Sequence, residues 1–306
     1  MTAPDSPHVG WRVGVVERPG ETMHVVANGA GPTVVFANGL GQSWYDWDAV
    51  VELLAGEYRL VRFDRPGLGG TPLAARRPTL AAEVGRIAAV ADTYAPDEPV
   101  VLVAHSAAAL HAEAYARQHP RRVAALVLVD PSTEPDVTPR PDAARGLTRL
   151  TLDTLPRTVS ALAATRLTRM LGPRVYRRTY RTQNRRRLSG PDAPGWPPRT
   201  DPMPHPVETV YGSATTTVAI LAELAAYRTQ AADLNHLRRT TTAPAVPTTV
   251  LAALDGMGPG RNARWLAAMT RLADTLDARL VTLPDARHLA MVDRPDAVAD
   301  AVRRSV

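Results

Sequence analysis

The sequence predicts an α/β protein: a doubly wound, mostly parallel sheet with helices on both faces and an inserted helical cap. Three observations carry this reading. Short apolar runs bounded by Gly, Pro, Asn or Asp alternate with helical patterns at both ends of the chain. Between residues 132 and 247 the alternation stops, and proline and arginine become dense. One buried run ends at a small residue, His105 and Ser106, and a helix begins directly after it.

The elements follow in order. Val13–Glu17, Met23–Ala27 and Thr33–Ala37 read as strands, and the short connections between the first of them suit antiparallel pairing. Leu60–Asp64 is the next strand and Thr79–Tyr94 a helix. Val100–Ala104 is a strand, Ala107–Gln118 a helix closed by Pro120, and Ala125–Asp130 a strand. Strands that alternate with helices imply parallel neighbours buried on both faces. Within the insertion, helices are predicted around Ala143–Leu155, Ser160–Leu171 and Thr215–Leu237, with Pro156 separating the first two. The alternation then returns: strand Thr248–Leu254, helix Arg261–Leu276, strand Arg279–Leu283, helix Pro295–Arg304. The core is read as residues 1–131 and 248–306, and the cap as 132–247.

Composition narrows the class. A chain of 306 residues suits one large α/β domain with an insertion. No apolar run approaches the ~18 residues of a membrane span. The start, MTAPDSPHVGW, lacks the basic and apolar segments of a secretory signal, so a cytoplasmic location is expected. The chain has no cysteine, which excludes disulfides, thiolate ligands and a Cys nucleophile. The 8 histidines are scattered without metal-ligand spacing, so neither a metal nor a cofactor is expected. All 36 basic residues are arginine, and the net charge is +6. With 28 prolines and many alanines, this is the pattern of a GC-rich coding bias; an anionic partner is the sharper reading of the same charge.

The chemistry centres on the run Val100–Ala104, His105, Ser106, Ala107, Ala108. A sharp strand-to-helix turn would lift the Ser106 hydroxyl above the carboxyl edge of the sheet. Such a turn is cramped, and the residues two before and two after the serine are both alanine. A serine hydroxyl is a weak nucleophile until a base takes its proton. His288, on the loop after the last strand, is the candidate base. A carboxylate must orient its ring, and two are candidates: Asp130, ending one strand, and Asp255, following another. An oxyanion would need amide donors. Ala107, at the helix start, is one, and Leu40, in the loop Asn38-Gly39-Leu40-Gly41, is the other.

These segments, in this order, resemble the α/β-hydrolase superfamily over the whole chain: the Asn38–Gly41 loop, the Asp64-Arg65-Pro66-Gly67-Leu68-Gly69 turn, the elbow at Ser106 and the late His288. The resemblance implies an eight-stranded sheet and a mobile cap that closes over the site. The chain departs from the family in three places. Alanines flank the elbow where glycines are usual, and Asn38 stands where many members carry histidine. The usual position of the acid falls near Met257 or Gly258, neither of them acidic. Some members use a carboxylate after the preceding strand, so Asp130 is taken first and Asp255 as the alternative. Epoxide hydrolases and haloalkane dehalogenases of this fold carry Asp at the elbow, and Ser106 speaks against both.

The expected activity is that of a serine hydrolase acting through an acyl-enzyme on a carboxylic ester, lactone or thioester. The alternatives are a C–C hydrolase, an acyltransferase or a non-hydrolytic cyclase, and a catalytically impaired binding protein of the same fold. Trp44, Tyr45 and Trp47 either wall an acyl pocket or pack a helix start. Asn38, Gly39, Leu40, Leu110, Leu289 and Met291 are the other candidates for contact with a small-molecule acyl substrate. Seven of the fourteen residues from Arg174 to Arg187 are arginine. That cluster is either a solvated face or a dock for an anionic substrate or acidic carrier protein. No nucleic-acid motif accompanies the charge.

Overall fold

The computed structural model of the chain describes residues 11–133, 166–183 and 206–305. Eight strands form one sheet: β1 (Arg12–Arg18), β2 (Glu21–Asn28), β3 (Thr33–Ala37), β4 (Arg59–Phe63), β5 (Val100–His105), β6 (Val123–Val129), β7 (Thr248–Ala253) and β8 (Arg279–Leu283). Their order is β1-β2-β4-β3-β5-β6-β7-β8. β1 pairs with β2, and β2 with β4, in antiparallel fashion; every later pair is parallel. The predicted strands all appear, with ends shifted by two residues at most.

β3 and β5 are buried at every position. They have no solvent face, which is why their sequences run apolar rather than alternating. The sheet divides two apolar layers. Ile87, Val90, Leu102 and Leu126 belong to one, and Phe36, Trp47, Val103 and Val127 to the other. Alternate residues of β5 thus feed opposite cores, as the two-residue period of a strand requires.

The helices are α1 (Asp48–Leu54), α2 (Leu80–Tyr94), α3 (Ala108–Gln118), α4 (Arg166–Gln183), α5 (Pro206–Tyr211), α6 (Ala214–Thr240), α7 (Pro259–Leu276), α8 (Ala290–Asp293) and α9 (Pro295–Arg303). Thr79 starts α2 by accepting the Ala82 amide at 3.1 Å, and Ser213 accepts the Thr215 amide at the start of α6. The short helices α1, α5 and α8 carry too few turns to show a helical period in sequence.

Helices α4, α5 and α6 lie in the insertion between β6 and β7. The sequence predicts a helix ending at Leu171, yet α4 continues through Pro173. The proline has no N–H to donate to the carbonyl four residues back, a change of about 3 kcal/mol in helix propensity. Packing beyond it compensates: Tyr176 stacks on Tyr211 at 3.7 Å and lies 5.6 Å from Tyr180. The helix predicted at Ala143–Leu155 and the arginines from Arg185 to Arg187 lie outside the described residues. Among the described residues, no helix is long and apolar enough to cross a membrane.

Candidate active site

The parallel strands deliver the site to their carboxyl edge. β5 ends at His105, and Ser106 turns the chain into α3 with φ = 52°. A left-handed backbone at a non-glycine residue costs on the order of 1–3 kcal/mol. Ala104 and Ala108, both fully buried, leave room for the turn. The Ser106 amide is held by the Val129 carbonyl at 3.1 Å, so the elbow is pinned to the neighbouring strand.

His288 reaches back from the loop after β8. Its Nε2 lies 3.0 Å from Ser106 Oγ, and its Nδ1 lies 2.7 Å from Asp130 Oδ2. A proton on Nδ1 serves the carboxylate and leaves the Nε2 lone pair facing the serine hydroxyl. Asp130 follows β6 and is also left-handed, with φ = 41°. Its second oxygen accepts the Ala253 amide at 3.0 Å and the Trp265 indole N–H at 2.9 Å. With three donors around it and almost no exposure, this carboxylate has one orientation. Asp255 faces Arg287 instead, at 3.3 Å, on a half-exposed rim. Trp265, midway along α7, carried no signal in the sequence.

The loop after β3 closes the other side. The Gly39 amide donates to Gln42 Oε1 at 2.6 Å, the Gly41 amide to Glu223 Oε2 at 2.9 Å, and the Gln42 amide to the Gly39 carbonyl at 3.1 Å. Among the described residues, the Leu40 amide alone of these four has no protein acceptor, and the Ala107 amide at the elbow has none either. Gly39 must be glycine, since a Cβ there would lie 2.5 Å from Gln42 Oε1 and 2.6 Å from His105 Nδ1. His105 bridges this loop to the base: its ring sits 4.7 Å from the His288 ring, and its Nε2 meets the His288 carbonyl at 2.7 Å. Burial, with the neighbouring His288, pushes the His105 pKa well below the usual imidazole value. Ser132, which carries no signal in the sequence, brings its hydroxyl within 3.4 Å of Ser106 Oγ.

Several residues expected to touch substrate sit elsewhere. The Asn38 carboxamide bonds Phe63 O at 2.7 Å and Trp47 Nε1 at 2.8 Å, so its side chain serves the loop from below. Met291, Leu289 and Leu110 are enclosed in the apolar cores, with 0%, 3% and 2% exposure. Leu110 in α3 and Met291 in α8 are turned by their helices toward the sheet, and Leu289 immediately precedes α8. Trp44 packs against Trp11, Tyr45 and His24 and beside the Arg62 guanidinium, and Trp47 against Phe36. Of these candidates, Gly39 lies against the His105 ring, next to the serine in sequence.

One titrating group lies beside the loop. Asp46 accepts the Ser43 amide at 2.9 Å and the Tyr176 hydroxyl at 3.0 Å. Burial nevertheless pushes its carboxyl up to about 7, against the downward pull of those bonds. From about pH 4 to about 7, the unfolded chain releases this proton while the folded one keeps it, so stability falls as pH rises through that window. The loss between pH 5 and pH 8 is expected to be larger in the wild type than in Asp46→Asn, by on the order of 2 kcal/mol. Urea unfolding of both proteins at the two pH values measures it.

A mostly parallel sheet with this strand order, and a serine on a strained turn before a helix, defines the α/β-hydrolase fold. The sequence matches the alpha/beta hydrolase family over residues 34–301, and the chain belongs to that family. It is similar to the probable oxidoreductase EphD of Mycobacterium tuberculosis, with 40% identity over 80 residues, 26% of this chain and 14% of that protein. It is similar also to the pimeloyl-[acyl-carrier protein] methyl ester esterase of Aeromonas hydrophila, with 34% identity over 105 residues, 33% of this chain and 38% of that protein. These alignments thus cover well under two thirds of the curated relatives they match. Among solved structures, the Cif epoxide hydrolase from Acinetobacter nosocomialis superposes with a TM-score of 0.73 at 16% identity, over 97% of this chain and 90% of that one.

Proposed function

We propose that the protein is a serine hydrolase that cleaves a carboxylic ester or thioester of a small molecule. The observation that carries this reading is the chain of contacts Ser106 Oγ, His288 Nε2, His288 Nδ1 and Asp130 Oδ2, at 3.0 Å and 2.7 Å. In this reading Ser106 Oγ attacks the carbonyl carbon and its proton passes to His288 Nε2. Asp130 steadies the imidazolium that forms. The carbonyl oxygen, now an oxyanion, is received by the amides of Leu40 and Ala107. The intermediate collapses, and the leaving alcohol or thiol takes the proton from His288. Water, deprotonated by His288, then cleaves the acyl-serine.

The identity of the nucleophile argues against epoxide opening. Attack on an epoxide by a carboxylate leaves an ester, which water can cleave at its carbonyl. Attack by Ser106 would leave an ether, which has no carbonyl for water to attack. An ester or thioester instead leaves an acyl-serine, whose carbonyl water can attack.

We read residues 132–247 as the cap and residues 1–131 and 248–306 as the core, because α4, α5 and α6 all fall between β6 and β7. Arg174, Arg177, Arg178 and Arg181 recur at helical spacing along α4, and Arg177 pairs with Glu208. That stripe favours an anionic acyl carrier or an anionic substrate over a neutral one.

Rapid mixing with p-nitrophenyl esters and acyl thioesters of graded length tests the reading. A burst of about one p-nitrophenol per protein, followed by slower turnover, is expected. No turnover on any ester or thioester would reject it. Removal of the Trp265 donor has its own expected effect. Trp265→Phe should lower kcat about tenfold or more with KM little changed, since a hydrogen bond to a charged group carries about 1.5–3 kcal/mol. Steady-state kinetics on the best ester measures this.

A further inference from the structure

Arg65 stands behind the loop that carries Leu40. Its side chain is 4% exposed. Nη1 donates to the Asn38 carbonyl, and Nη2 donates to the Gly39 carbonyl at 2.7 Å. The Gly39 carbonyl and the Leu40 amide belong to one planar peptide and point in opposite directions. A donor fixed on that carbonyl therefore fixes the direction of the Leu40 N–H.

The partner of Arg65 comes from the insertion. Glu223 on α6 accepts Arg65 Nε at 2.6 Å and Nη2 at 3.0 Å, and also the Gly41 amide at 2.9 Å. One carboxylate from α6 thus holds both the guanidinium that aims the Leu40 peptide and the amide next along the chain. Tyr211, the last residue of α5, donates to the Gly41 carbonyl at 2.8 Å. Gly41 itself is left-handed, φ = 70°, and a Cβ there would lie 3.1 Å from Ile220 on α6. The loop and α6 meet without space between them.

We propose that Glu223 is a positioning residue for the oxyanion site. Acting through Arg65 and the Gly41 amide, it makes the direction of the Leu40 N–H depend on α6 being docked. The proposal rests on reading Leu40 as an oxyanion donor. It adds that the donor is assembled by the insertion and is not a fixed property of the β3 loop. With Glu223 neutralised, Arg65 keeps a buried charge that has lost its hydrogen-bonded carboxylate; Glu83 and Asp64 still attract it, but without the contact to Nε and Nη2 that holds it on the Gly39 carbonyl.

The test compares wild type, Glu223→Gln and Glu223→Asp. The readouts are kcat and KM on one ester, affinity for a boronic acid that forms a tetrahedral adduct with serine, and hydrogen exchange of residues 38–45. For Glu223→Gln, kcat and boronate affinity should each fall about 10- to 100-fold, a fraction of the 10²–10³ for losing an oxyanion donor outright. KM should change less than about threefold, and amides 38–45 should exchange faster. Glu223→Asp keeps the charge but not the reach, and should lie between; if Glu223→Gln does not fold, Glu223→Asp decides alone. Kinetics and boronate affinity within about threefold of wild type would overturn the proposal, and so would a loss confined to melting temperature. If exchange in residues 38–45 quickens but wild type neither binds boronate nor hydrolyses any ester, the clasp exists and the serine-hydrolase reading is what fails.

Discussion

Ser106→Ala is expected to lower kcat on the best ester by about a millionfold, to the residual rate that binding and the amide donors sustain without a nucleophile. Substrate binding should survive, because alanine keeps the Ser106 Cβ and removes only the Oγ hydroxyl. The fold should be retained for a local reason. Ser106 sits at φ = 52°, and the turn is held by backbone bonds: its amide to Val129 O at 3.1 Å, and its carbonyl accepting from Ser132 N at 3.0 Å and Ala109 N at 3.1 Å. None of these involves the hydroxyl. The same non-additivity that makes nucleophile and base act as a unit means Ser106→Ala combined with His288→Ala should be scarcely worse than either alone. A double variant that loses the product of two large factors would show that the two residues work separately.

Asp130→Asn is expected to lower kcat about 10⁴-fold with little change in KM, and Asp255→Asn to change it less than about threefold. The geometry separates the two carboxylates. Asp130 Oδ2 lies 2.7 Å from His288 Nδ1, and its other oxygen accepts from Ala253 N and Trp265 Nε1. In Asp130→Asn, the amide can keep Oδ1 toward Ala253 and Trp265, but it then presents an NH₂ to His288 Nδ1. The ring answers by moving its proton to Nε2, where it faces Ser106 and can no longer accept. Geometry survives and the tautomer is wrong. Asp255 lies on the rim against Arg287 at 3.3 Å, where a surface ion pair contributes about 0–1 kcal/mol. Kinetics on the two purified variants, with circular dichroism to show both folded, makes the comparison. Equal effects at the two positions would contradict the assignment.

The strands were legible because a parallel strand buried on both faces leaves an unbroken apolar run, as in Val100–Ala104, and its turn residues mark its end. The elbow was legible for a steric reason: only small residues, Ala104 and Ala108 here, fit two before and two after Ser106. His288 could be read from its place after the last strand. The sequence puts Asp130 only slightly ahead of Asp255, because both follow strand ends and each reads as a turn carboxylate. What separates them is a left-handed φ of 41° at Asp130 and an indole from α7, and neither leaves a mark in sequence. Glu223 was silent for a related reason. It lies 158 residues from Arg65, on a long helix where one glutamate looks like any solvated one. The enclosure of Leu110, Leu289 and Met291 in the apolar cores was not legible either. Nearness to a catalytic residue in sequence fixes the backbone's place but not the face on which a helical side chain emerges.

The central claim is that Ser106 forms the acyl bond, and one measurement reaches it directly. The protein is incubated with a fluorophosphonate, digested with trypsin and mapped by mass spectrometry. The peptide of residues 87–117 contains Ser106 as its one serine. The expected result is one phosphonyl adduct per chain, on that serine, absent from Ser106→Ala and from heat-denatured protein. A folded wild type that stays unlabelled, or is labelled at another residue, would contradict it.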